Sequence, residues 1–259
     1  MVLNMAEQGV FGEIVHCSGG YHHDLRWEVA YGKENRHYRL KNYINRNCEN
    51  YPTHEIGPIA KVLKINHGNR MMTLSSTASK AAGMHTYILD KKPEDTELVN
   101  TEFKQGDVIT TVIKCAGGQT IVLTLDTTLP RYYSRGFTVR GTKGMYEEVT
   151  DSVFIDGEDE KFDITWKEKW GNASEYEDKY QHPIWKKYTE DGVLGSHGGM
   201  DYLQFDRVID FLINKTEAEN DVYDAASWMC IAALSEKSIA MGGIPVEVPD
   251  FTNGMWQHR

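Results

Sequence analysis

The sequence predicts an α+β fold: a large, mostly antiparallel sheet with helices on one face. Two observations predict it. Strand signals punctuated by Gly turns crowd into residues 107–158, and the strongest helical periodicities lie after residue 199. Strands grouped ahead of helices mark a segregated architecture rather than an alternating one. Such a sheet has one covered face, and the other is left for solvent or a second copy. The chain has 259 residues, enough for a substantial core. We read it as one domain, 1–259, with a remnant helix at 1–12 and a strand-rich core at 13–158 that includes a site loop at 21–54. An irregular excursion follows at 159–198, then a helical pair and a final strand at 199–259.

Each element has its own signal. Residues 2–9 read as the second half of an amphipathic helix that ends at Gly9 or Gly12. A chain that opens inside a helix implies a missing upstream segment. Glu13 to Tyr21 alternates and is rich in Ile, Val and His, so it reads as a strand. Residues 24–50 show no period and read as a long loop with short turns, and loops of that length usually carry function. Residues 54–66 read as a helix stopped by Asn66-His67-Gly68-Asn69, and Met71 to Ser79 as a strand. Asp107–Cys115 and Thr120–Thr127 flank a Gly117-Gly118 turn and form a hairpin. A second hairpin turns at Gly141–Gly144, and Val153–Gly157 continues the pattern. A short helix is expected near Tyr176–Tyr180 within the polar excursion. Met200, Leu203, Val208, Phe211 and Leu212 give a helix over 199–213. Asp221 caps a second helix that Gly242-Gly243 stops. Ile244–Val248 reads as a last short strand.

Composition removes several classes of function. The formal charge is −10 and basic residues collect on no segment, which argues against nucleic acid. No apolar run approaches a membrane span, and the first residues have no basic leader. The sequence therefore reads as a soluble chain with no membrane partner. The four cysteines, 17, 48, 115 and 230, show no paired spacing, so no metal site or disulfide framework is indicated. The 14 Tyr and 6 Trp provide flat faces suited to sugar rings, although the same residues also fill cores and interfaces.

The most informative stretch is Tyr51-Pro52-Thr53-His54, a phenol and an imidazole across a rigid Pro. Tyr21, His22, His23 and Arg39 lie upstream, and an apolar run follows the tetrad. This reads as polar groups gathered at a helix entrance, where oriented ligands are favoured. Tyr and His are the usual proton-transfer residues near neutral pH. The competing structural reading is a capped helix with an incidental His.

Phe11–His16, Tyr51–His54, Gly141–Gly144 and His197-Gly198-Gly199-Met200-Asp201 together resemble the C-terminal domain of the Gfo/Idh/MocA oxidoreductases. Within that superfamily, the tetrad and Leu129-Pro130-Arg131-Tyr132-Tyr133-Ser134-Arg135-Gly136 resemble the bacterial NAD-dependent α-N-acetylgalactosaminidases, family 109 of the glycoside hydrolases. The resemblance spans essentially the whole chain. It departs in one respect: no G-x-G-x-x-G and no βαβ unit occurs here, nor does the family's glutamate-asparagine motif. The chain looks like a catalytic and oligomerisation half, with the main NAD-binding domain outside it.

What the resemblance implies is a hydride-assisted elimination. NAD takes a hydride from C3, a base removes the acidified C2 proton, and the glycosidic bond breaks. Water then adds and the hydride returns. Such chemistry calls for proton shuttles rather than the two carboxylates of ordinary glycosidases. By resemblance the catalytic candidates are Tyr21, His23, Tyr51 and His54, with Tyr21 and His23 as base and acid in either order. Arg39, Pro52, Thr53 and Tyr133 join Tyr51 and His54 as substrate-binding candidates, and Tyr51 also lies against the nicotinamide. His197 and Asp201 form a second tier, for which capping of the 199–213 helix competes. The implied partners are an N-acetylgalactosamine-type glycoside and a second copy of the chain across the open sheet face. Two other readings stand beside this one: a sugar oxidoreductase of the same superfamily, and a non-catalytic sugar-binding or assembly module.

Overall fold

The computed structural model describes residues 1–159 and 166–259. Its strands are β1 Ile14–His22, β2 Met71–Ala78, β3 Val108–Cys115, β4 Thr120–Asp126, β5 Thr138–Gly141, β6 Gly144–Glu147, β7 Ser152–Ile155 and β8 Val246–Glu247. They form one sheet in the order β7-β6-β5-β1-β4-β3-β2-β8. The β1–β4 pair is parallel, and every other pairing among these strands is antiparallel. The two expected hairpins are β3–β4 and β5–β6.

The helices are α1 Val2–Glu7, α2 Arg26–Ala30, α3 Tyr38–Asn45, α4 Thr53–Val62, α5 Gly83–Lys91, α6 Thr96–Val99, α7 Glu177–Tyr180, α8 Pro183–Asp191, α9 Met200–Asn214 and α10 Val222–Ala240. α4 packs on β1 and α10 on β2. Ile109, Ile113, Ile121, Leu123 and Leu125 are buried on the helix-covered side of β3 and β4, while Val112 on the opposite face is 45% exposed. Helices therefore cover one face, in line with the alternation of the strands. Two apolar clusters fill that side. One holds α1, α4 and the sheet centre, the other α2, α3, α5 and α6.

The expected loop over 24–50 is corrected: it contains α2 and α3. Helices of five and eight residues are too short to show a period, and isolated ones are unstable. Packing makes them, through Val29, Ala30, Leu40 and Tyr43, all buried. The sequence reading assigned nothing to α5 and α6. It also expected an irregular segment where α8 stands, headed by Pro183 and capped by His182. Residues 160–165 of that excursion lie outside the described residues. Asp221 caps α10 in a reciprocal box with Asp224. The helix ends as Gly242 and Gly243 take φ of 79° and 87°, and Gly243 N–H returns to Ser238 O. α9 forms where expected, yet none of its residues is buried.

Candidate active site

The parallel pairing of β1 and β4 determines where the cluster forms. Both strands end at the same edge, with His22 opposite Asp126. Tyr21 and His23 leave β1 there, and the segment after β4 turns back to pair Ser134 with His22. α4 comes down onto this edge beside Gly19, where an added Cβ would lie 3.2 Å from Ile59 Cδ1 and 3.5 Å from the Glu55 carbonyl. Gly at this position lets helix and strand approach.

Six residues singled out from the sequence meet at this edge. The Tyr21 hydroxyl lies 3.0 Å from His23 Nδ1. The Tyr21 ring centre is 4.8 Å from Tyr51, 5.1 Å from His54 and 6.4 Å from Tyr133. Tyr51 and His54 are 4.5 Å apart, and His23 and Tyr133 5.1 Å apart. Arg39 lies over the Tyr51 ring at 5.0 Å. Burial raises the Tyr21 phenol above its usual pKa, so it keeps its proton at neutral pH. Burial, and then the Arg135 and Arg39 guanidiniums, push the His54 imidazole down to about 4, leaving it neutral. A neutral imidazole both donates and accepts.

The structure also locates the remaining candidates. Pro52 is buried, and its carbonyl accepts from the N–H groups of Glu55 and Ile56, which starts α4. Thr53 heads the helix and is half-buried. No side chain caps α4, so the imidazole of His54 is not engaged at the helix end. His197 and Asp201 are not brought to the cluster. His197 Nδ1 meets Asp201 Oδ2 at 2.8 Å, Ser196 Oγ donates to the same oxygen, and His197 is 73% exposed. This arrangement favours local support at the start of α9.

Several residues around the cluster received no site role from the sequence. Glu28 on α2 pairs with Arg39 and sits 3.0 Å from His37 Nε2. Glu148 accepts from the N–H of Arg135 and of Phe137 and from Ser134 Oγ. Arg131 pairs with Asp126, and Arg26 with Asp24. Arg135 sits between Tyr133 and His54, and a cavity of about 170 Å³ opens beside it against His54. Glu49 and Glu55 bracket the tetrad, fully buried, and none of their four carboxyl oxygens makes a hydrogen bond of good geometry. Burial raises both carboxyls, and Glu49 raises Glu55 further. The one available signal was Pro58, a helix-interior Pro four residues after His54.

The cluster thus provides phenols and imidazoles in contact. The carboxylates beside it (Asp24, Glu28, Asp126 and Glu148) are engaged by cations or backbone N–H groups. Such a set suits proton transfer and hydroxyl recognition.

Comparison with known proteins identifies the family. Residues 1–258 match the family described as glycosyl hydrolase 109, C-terminal domain. A glycosyl hydrolase family 109 protein of Parabacteroides distasonis is 41% identical over 99% of this chain and 58% of its own length. An α-N-acetylgalactosaminidase of Tannerella forsythia is 38% identical with the same coverage. The chain thus spans under two thirds of these relatives. Among solved structures, an oxidoreductase domain protein from Kribbella flavida superposes with a TM-score of 0.59 at 15% identity, over 96% of this chain and 62% of that one. A scyllo-inositol dehydrogenase from Lactobacillus casei with bound NAD(H) gives 0.54 at 11% identity, over 95% and 60%. These establish a shared fold. By its match along almost its whole length, this chain belongs to the C-terminal domain family of glycoside hydrolase family 109.

Proposed function

We propose that this chain is the substrate-binding and catalytic half of an NAD-dependent α-N-acetylgalactosaminidase. The observation that supports it most directly is the contact cluster of phenols and imidazoles formed by Tyr21, His23, Tyr51, His54 and Tyr133. Tyr21 and His23 act as one unit at C2 and at the leaving oxygen, because a proton taken by either can pass to the other across 3.0 Å. Neutral His54 bonds the hydroxyls at the C3–C4 edge as donor and acceptor. Arg39, already paired with Glu28, holds the Tyr51 ring in place by stacking and turns a donor edge toward ring substituents. Tyr133 closes the opposite side. A nicotinamide bound against Tyr51 would supply the hydride chemistry at C3, and these side chains supply orientation and proton transfer. On this reading the main contacts to NAD lie in the part of the enzyme that this chain does not span.

The test joins the chain to the upstream half of the Parabacteroides distasonis relative and supplies p-nitrophenyl α-N-acetylgalactosaminide with NAD+ in D2O. The expected products are p-nitrophenol and N-acetylgalactosamine with deuterium at C2. Accumulation of a keto-sugar with NADH would establish a sugar oxidoreductase instead. Sugar binding without turnover would establish a binding module.

A further inference from the structure

Tyr133 and His54 flank the cluster from different elements, the segment after β4 and the first turn of α4. One side chain ties them together. Arg135 Nη1 donates to the His54 carbonyl at 2.9 Å, and its Nε donates to the Tyr133 hydroxyl. Its guanidinium carbon lies 5.7 Å from the Tyr133 ring centre. That carbonyl is available because Pro58 stands four residues further along α4, where an ordinary residue's N–H would bond to it. The root of Arg135 is also fixed, since its own N–H is 3.0 and 3.2 Å from the two carboxylate oxygens of Glu148.

We propose that Arg135 is a positioning residue: docked on the carbonyl that Pro58 leaves open, it holds the Tyr133 hydroxyl and the first turn of α4 in one fixed arrangement. A helix-interior Pro is unfavourable in itself, and here it creates the acceptor on which the arginine fork docks. The proposal rests on reading the ring cluster as the sugar-reacting site, but its test does not depend on turnover.

The test is NMR on the full chain with 15N-labelled arginine. In the wild type the Arg135 Nε–H is protected from exchange. Tyr133→Phe removes its acceptor and should speed that exchange at least tenfold. Pro58→Ala returns an N–H to the His54 carbonyl without touching a ring. It should likewise speed Arg135 Nε–H exchange, with the melting temperature equal or higher. Arg135→Met should raise the His54 titration from about 4 toward its ordinary value, because a neighbouring positive charge is gone. Arg135→Lys keeps that charge and should hold the His54 titration within half a pH unit while releasing Tyr133. If Arg135→Met fails to fold, Pro58→Ala and Tyr133→Phe still decide the matter. Unchanged Arg135 exchange in both would overturn the proposal, as would a folded Arg135→Met protein whose His54 titrates as in the wild type. If wild-type protein shows these signals yet binds no N-acetylgalactosaminide, the functional reading fails and the positioning role stands.

Discussion

Replacing Glu49 and Glu55 with Gln should make stability less dependent on alkaline pH. Both carboxyls are buried, one on each side of the tetrad, and among the described residues no cation pairs with either. Tyr51 N–H faces Glu49 and Tyr21 N–H faces Glu55, while Arg135 acts on Glu55 only at longer range. Tyr43 and Cys48 also lie near Glu49, and burial raises both, so neither offsets its charge. Glu49 is lifted from 4.5 to about 8, and Glu55 is raised as well. The sign follows from proton counting. Between those values the folded state holds a proton that the unfolded chain has released, so stability is greatest at low pH and falls as pH rises toward 8. Each retained proton makes folding about tenfold less favourable per pH unit, about 1.4 kcal/mol. His16, His22 and His54, all lowered by burial, act in the opposite direction, and because the unfolded imidazoles are still half protonated at pH 6.5 they return about 1 kcal/mol above it, alike in wild type and variant. From pH 6.5 to 8.0 the pair should therefore remove about 2 kcal/mol if it keeps one proton and about twice that if it keeps two. Urea unfolding at both pH values, with the slope held constant, isolates this loss as the difference between wild type and Glu49→Gln/Glu55→Gln. Equal losses in wild type and double variant would refute the assignment of buried, protonated carboxyls.

Four further outcomes are expected. Tyr51→Phe and His54→Ala, in a chain joined to a relative's upstream half, should each lower kcat/KM by roughly a hundredfold while the melting temperature stays close to wild type; wild-type turnover with a lowered melting point would remove both from the chemistry. His197→Ala should change turnover less than about threefold, because its contact with Asp201 is an exposed pair of the kind that contributes little; a large loss would restore its place in the site. Calorimetry on this chain alone should find NAD+ weaker than low micromolar, since the sequence has no Gly-rich phosphate loop. Light scattering should show a dimer or larger species, paired through the open sheet face that carries Thr110, Val112, Val122 and Thr124; a monodisperse monomer at micromolar concentration would end that idea.

The sequence makes the regular elements and the clustered side chains visible, and for the same reason. Alternation in β3 and β4, the Gly117-Gly118 turn and the Asp221 cap are local signals, set within a few residues. Tyr51 and His54 are legible because Pro52 places them three apart at a helix start. What is missed depends on distance along the chain. α2 and α3 exist through packing with α5 and the sheet, and no eight-residue window records that. Glu28, Glu148 and Arg135 act through partners 11, 13 and 81 residues away. A charge run in sequence gives no indication of which member meets which cation.

The position of the site is the clearest case of such non-local control. In the described sheet, β1 and β4 pair in parallel although about a hundred residues separate them. Parallel neighbours end at the same edge, so the segments leaving them start side by side. That places Tyr21 and His23, which leave β1, against Tyr133, which follows β4. Had β1 met β4 antiparallel, these residues would have emerged at opposite ends of the sheet, a strand length apart: roughly 20 Å for seven residues. Neither strand carries a mark of this pairing, because a buried central strand shows the same alternation whichever way its neighbour runs. The cluster is therefore written locally as residue types and assembled by one register choice. A change that weakened the β1–β4 pairing would scatter the clustered side chains even with every one of them intact.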